Sequence, residues 1–416
     1  MGRWSLFAPL WAVTLSAQQD LARIQEHVLD SLAHLPSYLC VQTVERAYRP
    51  TTKEEFKLRD TLHLEVTVIG NQERFAWRNA RKLEDKELRD LVGKGTIGTG
   101  TFALYTKHVF EPGHAEFKAQ GEVSYQGRRA LRYTYEVPWD NSGYRIRVAP
   151  YEEVVAFRGS FLIDADTLDL LRLEVFSDEI PPELGLDRVL TTLEYSTVTI
   201  GAWAGLFPTS SELTMTGLDG TESRNRTKLA ECRQYGAESK LSFDEPAPAP
   251  AEAPVSAAAP ELVSRLTMEL ALEGDIALAT AAIGDPVRAA LTRPLMNGDR
   301  LLAPEGAVVL GNIVRLDKQK QPFDRYEVAL EFHTLETSEV RYELSATMSE
   351  AGPASGLIKQ AKRLNPTFTR ERKARMDILV REIPRGQGVL QWDAKQGRIR
   401  KGLRMRWLVD SVTPTK

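Results

Sequence analysis

The chain of 416 residues is 42% hydrophobic and 27% charged, with a formal net charge of −3. This is ordinary globular material, enough for a sizeable core spread over two or three domains. Its two cysteines, Cys40 and Cys232, exclude a disulfide-dense scaffold and a thiolate metal cage.

The first residues read as a secretory leader. Arg3 supplies a basic start, Trp4 to Leu15 form an apolar run, and Ser16, Ala17 and Gln18 give a small-residue cleavage region. Residues 1–17 are therefore expected to be a signal peptide cut after Ala17. About 12 apolar residues are too few to cross a hydrocarbon core that needs roughly 20. No later stretch is long and apolar enough to anchor the chain, and no cysteine follows the apolar run at once to take a lipid. The expected mature protein is soluble, without a transmembrane anchor, and periplasmic or secreted.

Residues 18–244 are expected to form an N-terminal domain. Leu21, Ile24, Val28, Leu32 and Leu35 recur at spacings of three and four, which predicts a helix ended by Pro36. Strand patterns follow. Leu62, Leu64, Val66 and Val68 alternate with polar residues, and Gly70-Asn71 turns the chain toward Phe75 and Trp77. Leu131, Tyr133, Tyr135 and Val137 alternate in the same way. Phe161 to Ile163 and Leu171 to Val175 read as a hairpin around Asp164-Ala165-Asp166-Thr167, and the runs 189–200 and 206–217 continue the pattern. Consecutive half-buried strands imply an antiparallel sheet with one wet face, covered on the other by the first helix and the segment 83–110.

Residues 245–260, EPAPAPAEAPVSAAAP, form a Pro/Ala linker of semi-rigid extended type. Beyond it, residues 261–416 open with Leu266, Met268, Leu270 and Leu272 in alternation. Short strands bounded by the turns Gly274-Asp275, Gly284-Asp285 and Asn297-Gly298-Asp299 follow, then runs at 308–314, 326–332, 340–348, 378–381, 389–392 and 403–409. Such spacing predicts a small barrel or sandwich. The fold class is thus mainly β, of α+β type. From Ala351 to Lys416 there are 16 Lys plus Arg against 5 Asp plus Glu, a balance of +11 that leaves the rest of the chain acidic.

Chemical signatures are sparse. Gly93, Gly95 and Gly98 match G-x-G-x-x-G, but the preceding Lys82 to Arg89 is charged and helix-like, where a dinucleotide site needs a strand. The six histidines, His27, His34, His63, His108, His114 and His333, show no H-x-x-x-H or H-x-H spacing. No G-x-S-x-G elbow occurs, and the carboxylates are scattered along strands. The expectation is a non-enzymatic protein with no catalytic residues, no cofactor and no metal.

Several segments carry family likenesses. The order of leader, amphipathic helix, Cys40-Val41-Gln42-Thr43-Val44-Glu45-Arg46, Gly159-Ser160-Phe161-Leu162-Ile163-Asp164 to Thr167, Leu171-Arg172-Leu173-Glu174 and the closing Glu231 to Phe243 resembles uncharacterised exported bacterial proteins with a LolA/LolB-type lipoprotein-carrier domain. That resemblance implies a curved half-barrel sheet closed by helices, whose apolar face receives acyl chains. Phe75, Trp77, Leu131, Tyr133 and Tyr135 are the candidates for such a face, the other reading being plain core beneath the helices. Gly284-Asp285-Pro286-Val287-Arg288-Ala289, Pro294-Leu295 and Leu301 to Gly311 resemble the small β-barrel of TrbI-type conjugation-channel proteins. There Pro304 and Gly306 make a tight turn, and Gly311 permits a bend or close packing. The transmembrane segment of a true channel subunit is lacking, so a shared barrel is expected and not a shared channel role.

Two further expectations come from the residues themselves. Cys40 begins the first strand and Cys232 lies in the last strand before the linker, so sheet closure and export would pair them, against the alternative of two separate buried thiols. Arg398, Arg400, Arg404 and Arg406 alternate with Ile399, Leu403, Met405 and Trp407, giving a cationic strand face that is either solvated or in contact with an anionic envelope surface. Nucleic acid is not an expected partner. The expected function is binding or interaction in the envelope; the alternatives are a carrier of lipid or acylated protein, or an accessory component that docks on an envelope protein partner.

Overall fold

The computed structural model describes residues 11–69, 72–78, 101–148, 150–236, 266–320, 323–358 and 385–415. Most of the expected leader, the glycines at 93, 95 and 98, the 83–100 part of the covering segment, the Gly70-Asn71 turn, the linker and the strand at 378–381 lie outside these residues. The chain divides into two compact units. The second begins at Glu238 and takes in Asp60–His63 and Trp77–Asn79; the first holds the rest.

Among the described residues, the first unit has two α-helices, α1 (Trp11–Ala33) and α2 (Thr101–Phe110). No proline or glycine stands between Trp11 and Ala33, so α1 begins ahead of the Leu21 periodicity and runs through the end of the expected leader. Twelve strands follow in chain order: β1 (Tyr38–Arg49), β2 (Lys57–Ile69), β3 (Gln72–Trp77), β4 (Glu116–Tyr125), β5 (Arg128–Val137), β6 (Arg145–Val148), β7 (Tyr151–Val154), β8 (Phe157–Asp164), β9 (Leu170–Ser177), β10 (Leu186–Ile200), β11 (Trp203–Gly217) and β12 (Glu222–Gln234). Ten of them build one curved sheet in the order β3-β2-β1-β12-β11-β10-β9-β8-β5-β4, and β6 and β7 form a separate hairpin.

Period-two alternation sets the two faces of this sheet. Register places Tyr133 beside Phe161, Phe161 beside Leu173 and Leu173 beside Leu193, a row of large side chains running across four strands. The rows offset by one residue are polar. Arg172 on β9 lies 2.8 Å from Glu174 and 3.2 Å from Glu194, and the Ser160 hydroxyl donates to Glu174 at 2.7 Å. The apolar rows face α1 and α2: Ile24 and Val28 of α1 and Tyr105, Val109 and Phe110 of α2 are buried in the same cluster as Tyr133, Tyr135, Phe157, Phe161, Leu173, Val175 and Leu193. The wet face and the helix cover are both as the sequence indicated.

Cys40 and Cys232 are disulfide-bonded across 192 positions. The geometry that unites them differs from the expected closure of sheet edges. β1 and β12 are direct antiparallel neighbours inside the sheet, and its edges are β3 and β4. Leu39 pairs with Arg233 and Val41 with Ala230, so Cys40 stands opposite both Glu231 and Cys232. That is a β-bulge, and Glu231 adopts the left-handed φ of 52° that it requires.

The second unit is a small closed barrel. Its strands are β13 (Thr267–Leu272), β14 (Ile276–Ala277), β15 (Pro286–Leu291), β16 (Leu295–Asn297), β17 (Arg300–Ala303), β18 (Val308–Gln319), β19 (Arg325–Glu336), β20 (Arg341–Ala351), β21 (Gly388–Asp393), β22 (Arg398–Ile399) and β23 (Arg404–Thr415). The ring runs β18-β15-β13-β23-β20-β19 and closes by pairing β18 with β19, while β21 adds to β19. Trp407 and Phe332 meet edge to face at 5.0 Å in its interior. Gly306 takes the expected turn with φ 83°, and at Gly311 a Cβ would come 2.1 Å from the Glu331 carbonyl oxygen, so this glycine permits β18 to close on β19.

The disulfide contributes to stability by restricting the unfolded chain, for which the loop-entropy relation gives roughly 5 kcal/mol at this separation and measured bonds commonly give less. Replacing both cysteines by serine is expected to lower the unfolding free energy of the first unit by about 3 kcal/mol. Guanidinium denaturation of the oxidised protein against the double variant measures the difference.

Candidate functional site

The helix-covered face of the large sheet gathers three of the five proposed ligand residues. Tyr133 and Tyr135 are buried in it, and Leu131 packs half-buried at its margin. Phe75 is buried on the edge strand β3, outside that cluster, and Trp77 is half-buried and belongs with the second unit. Alternation identified residues that face inward, but strand order separates β3 from β5 by most of the sheet's width.

Aromatic rings fill this face. Phe161 stacks on Tyr133 at 5.1 Å, meets Phe110 of α2 at 4.9 Å and lies 5.9 Å from Phe117. Tyr144 stands edge-on to Tyr105 at 5.1 Å and to Phe157 at 5.8 Å. Such edge-to-face pairs add roughly 0.5–1.5 kcal/mol each beyond area burial. The sequence reading missed Tyr105, Phe110, Phe117, Phe157 and Tyr144 as members of the site. Aromatic residues in short or exposed segments carry no periodicity to reveal them.

The tyrosine hydroxyls are anchored. Tyr195 and Thr106 share a hydrogen bond of 2.6 Å, and Tyr135 donates to the Glu174 carbonyl at 2.7 Å. Gly159 makes the second bond reachable. Paired with Tyr135 across β5 and β8, it presents no side chain, and a Cβ there would stand 1.8 Å from the Glu174 carbonyl oxygen and 2.8 Å from the Tyr135 hydroxyl. Burial pushes the Tyr105 and Tyr135 hydroxyls well above the ordinary phenol range and that of Tyr144 up to about 12. These groups are therefore neutral hydrogen-bonding groups at physiological pH.

The remaining candidates are placed as follows. Arg404 and Arg406 lie exposed on β23 while Leu403, Met405 and Trp407 point into the barrel, as the alternation required. Arg398 belongs to the separate strand β22, and Arg400 lies in the turn after it. Gly402 with φ 85° and the Lys401 N–H bond to Asp275 form that turn, so the four arginines do not share one strand face. Arg406 lies 3.2 Å from Glu269 and 3.3 Å from Glu350, and Arg398 lies 3.6 Å from Asp275, so acidic neighbours offset much of their charge. The expectation of no metal cluster meets a different arrangement in the fold: His108, Glu111 and His114 bring one donor atom each within 4.8 Å of one another. Burial holds the His108 imidazole below its ordinary pKa, with the nearby Glu111 carboxylate opposing that shift. The spacing H-x-x-E-x-x-H at a helix end was the available signal.

No protein-family profile matches the chain, and no curated protein does. Among solved structures it is similar to a domain described as an outer membrane lipoprotein-sorting protein of Vibrio parahaemolyticus, with 13% identity and a TM-score of 0.30 over 52% of this chain and 94% of that one. It is also similar to a LolA superfamily protein from Nitrosomonas europaea, at 9% identity and TM-score 0.25, covering 51% of this chain and 94% of that one. A DUF1329 family protein from Desulfovibrio piger matches at 13% identity and TM-score 0.28, covering 55% and 94%. Likenesses of this strength carry no functional weight, and none of the three is a TrbI-type protein.

Substituting Gly159→Ala forces the Glu174 backbone and the Tyr135 ring apart, and a loss of about 2–3 kcal/mol is expected. Thermal unfolding followed by near-ultraviolet circular dichroism, which reports the tyrosine packing, measures it; a melting temperature equal to that of the parent protein contradicts this account of the glycine.

Proposed function

We propose that the chain is a non-enzymatic, exported binding protein of the bacterial envelope, periplasmic or secreted, whose helix-covered sheet face takes an acyl chain or similar apolar ligand. One observation supports this above others. The apolar rows of β5, β8, β9 and β10 are covered by two helices where a second sheet would give a fixed sandwich, and one of these helices, α2, has ten residues. α2 is held there by side chains, with Tyr105, Val109 and Phe110 in the cluster and Thr106 bonded to Tyr195, so opening it would trade those contacts for ligand contacts on the bared rows. Ligand would then replace Phe110 and Val109 on the sheet, with Leu131 at the margin of the opened face. The disulfide supports export, since such bonds form and persist in oxidising compartments. Among the described residues, no helix is long and apolar enough to cross a membrane.

An accessory role through the barrel has less support. Its arginines already have carboxylate neighbours, and exposed charge pairs of this kind steer encounters more than they hold partners.

The test is binding of a long-chain fluorescent fatty acid to delipidated protein, together with native mass spectrometry of protein taken from the envelope fraction. Saturable binding is expected, weakened roughly tenfold or more by Leu131→Glu, a half-buried position where a charge disturbs the face without filling the core. Absence of both probe binding and co-purified lipid overturns the reading. Mass measurement of the exported protein checks cleavage after Ala17.

A further inference from the structure

The end of α2 carries a second arrangement that the acyl-binding reading does not use. Beyond Phe110 the helix continues by one bond, from the Glu111 N–H to the Lys107 carbonyl at 2.9 Å. The His114 N–H then donates back to the Glu111 carbonyl at 3.2 Å, with Gly113 at φ 83° turning the chain. A spacing of three residues on either side of Glu111 brings His108, Glu111 and His114 to one side of this turn. The two imidazole rings lie 6.0 Å apart and within 20° of parallel, and the His114 Nδ1 is 3.4 Å from a Glu111 carboxylate oxygen.

Two observations point to a missing partner at this place. The Nδ1 atoms of both histidines are shielded from water and make no hydrogen bond, a condition that costs free energy until something accepts their lone pairs. Packing holds the His108 ring in place, because Gly143 lies so near that a Cβ there would come 2.2 Å from Nε2. The shielded Nδ1 is the nitrogen left without a partner.

We propose that His108, Glu111 and His114 bind one zinc-class divalent cation through the two Nδ1 atoms and a carboxylate oxygen. Two imidazoles and one carboxylate suit zinc and its transition-metal neighbours and disfavour magnesium and calcium, which take oxygen ligands. Zn–N and Zn–O bonds of about 2.0–2.2 Å put tetrahedral donors roughly 3.3–3.5 Å apart, so the present cluster closes by rotation of Glu111 and His114, both partly exposed. Three protein ligands leave a fourth position for water or an outside donor. The adverse charge is Lys107, 3.5 Å from the other Glu111 oxygen, and its exposed ammonium is free to turn into solvent. Asn141 donates to the carbonyls of Gly113 and His114 at 3.2 and 3.4 Å, so the segment bearing Gly143 already holds the turn. A bound ion would fasten the end of the covering helix to this turn. The site stands whether or not the sheet face takes lipid.

Full-length protein without a histidine tag, stripped with chelator, is titrated with Zn2+ by calorimetry and with Co2+ by visible absorption. One ion per chain is expected at micromolar affinity or tighter, with the intense visible bands of four-coordinate cobalt. His114→Ala and Glu111→Gln, both at partly exposed positions, are expected to weaken binding by roughly tenfold or more. His34→Ala, in the exposed turn after α1, leaves it unchanged. No saturable binding by the parent protein, or undiminished binding by the doubly substituted Glu111→Gln/His114→Ala protein, overturns the site.

Discussion

The apolar face of the ten-stranded sheet has to be covered, and most of the first unit follows from that requirement. Alternation sends Tyr133, Phe161, Leu173 and Leu193 to one side of four neighbouring strands. A face of that size left in water would be an aggregation surface. Helices α1 and α2 supply the cover, and the Gln25 side chain, which donates to the Phe110 carbonyl at 3.2 Å, ties one helix to the end of the other. His27, facing Asp169 at 3.0 Å, adds a polar clasp between α1 and the turn joining β8 to β9. The opposite face needs no cover, because Arg172, Glu174, Glu194 and Ser160 satisfy one another there while remaining in reach of water.

The second unit answers the same requirement by closure. Its six-strand ring turns the inward residues of every strand toward a single core of Trp407, Phe332, Leu330, Val309 and Leu270, so no helix is needed. The barrel depends on small residues where rings or backbones crowd. Gly388 leaves room for the Trp407 indole, which a Cβ would approach to 2.5 Å, and Gly311 lets β18 reach β19.

The strands most legible in the sequence were those whose inward residues alternate with exposed or half-buried ones: β2, β5, the β8–β9 hairpin, β10, β13, β20 and β23. β4 was not legible because it is an edge strand whose residues are mostly exposed, with Phe117 half-buried and a bulge at Gly121 breaking the period. β12, rich in Arg, Asn, Thr and Lys, was located only at its Cys232 end, because its alternation is not apolar. It is held between β1 and β11 by backbone pairing, with Glu222, Asn225 and Thr227 buried as polar partners and not as apolar ones. At the candidate site, alternation identified Tyr133 and Tyr135 as inward-facing but carried no information on strand order, and so grouped them with Phe75 and Trp77. The cysteine pairing was legible from location, although adjacency in the sheet interior, and not closure of its edges, is what joins them. The histidine cluster depends on a turn at Gly113 that no periodicity announces.

The pairing of β1 with β12 has a consequence for the order in which this molecule can form. These two interior strands of the large sheet are separated by nearly the whole first unit, and the bond between Cys40 and Cys232 spans 192 positions. Contacts so distant in sequence are slow to form, because loop-closure entropy is lost before any pairing is gained. β1 and β2 therefore wait, incompletely paired, until β12 has been made. The β4–β5 and β8–β11 strands, joined by short turns, can assemble first and offer β11 as the template on which β12 adds and then recruits β1. Such a chain carries its first strands without their main partner until its last strand arrives, so loss of β12 from the end of the unit would leave β1 an unpaired sheet edge.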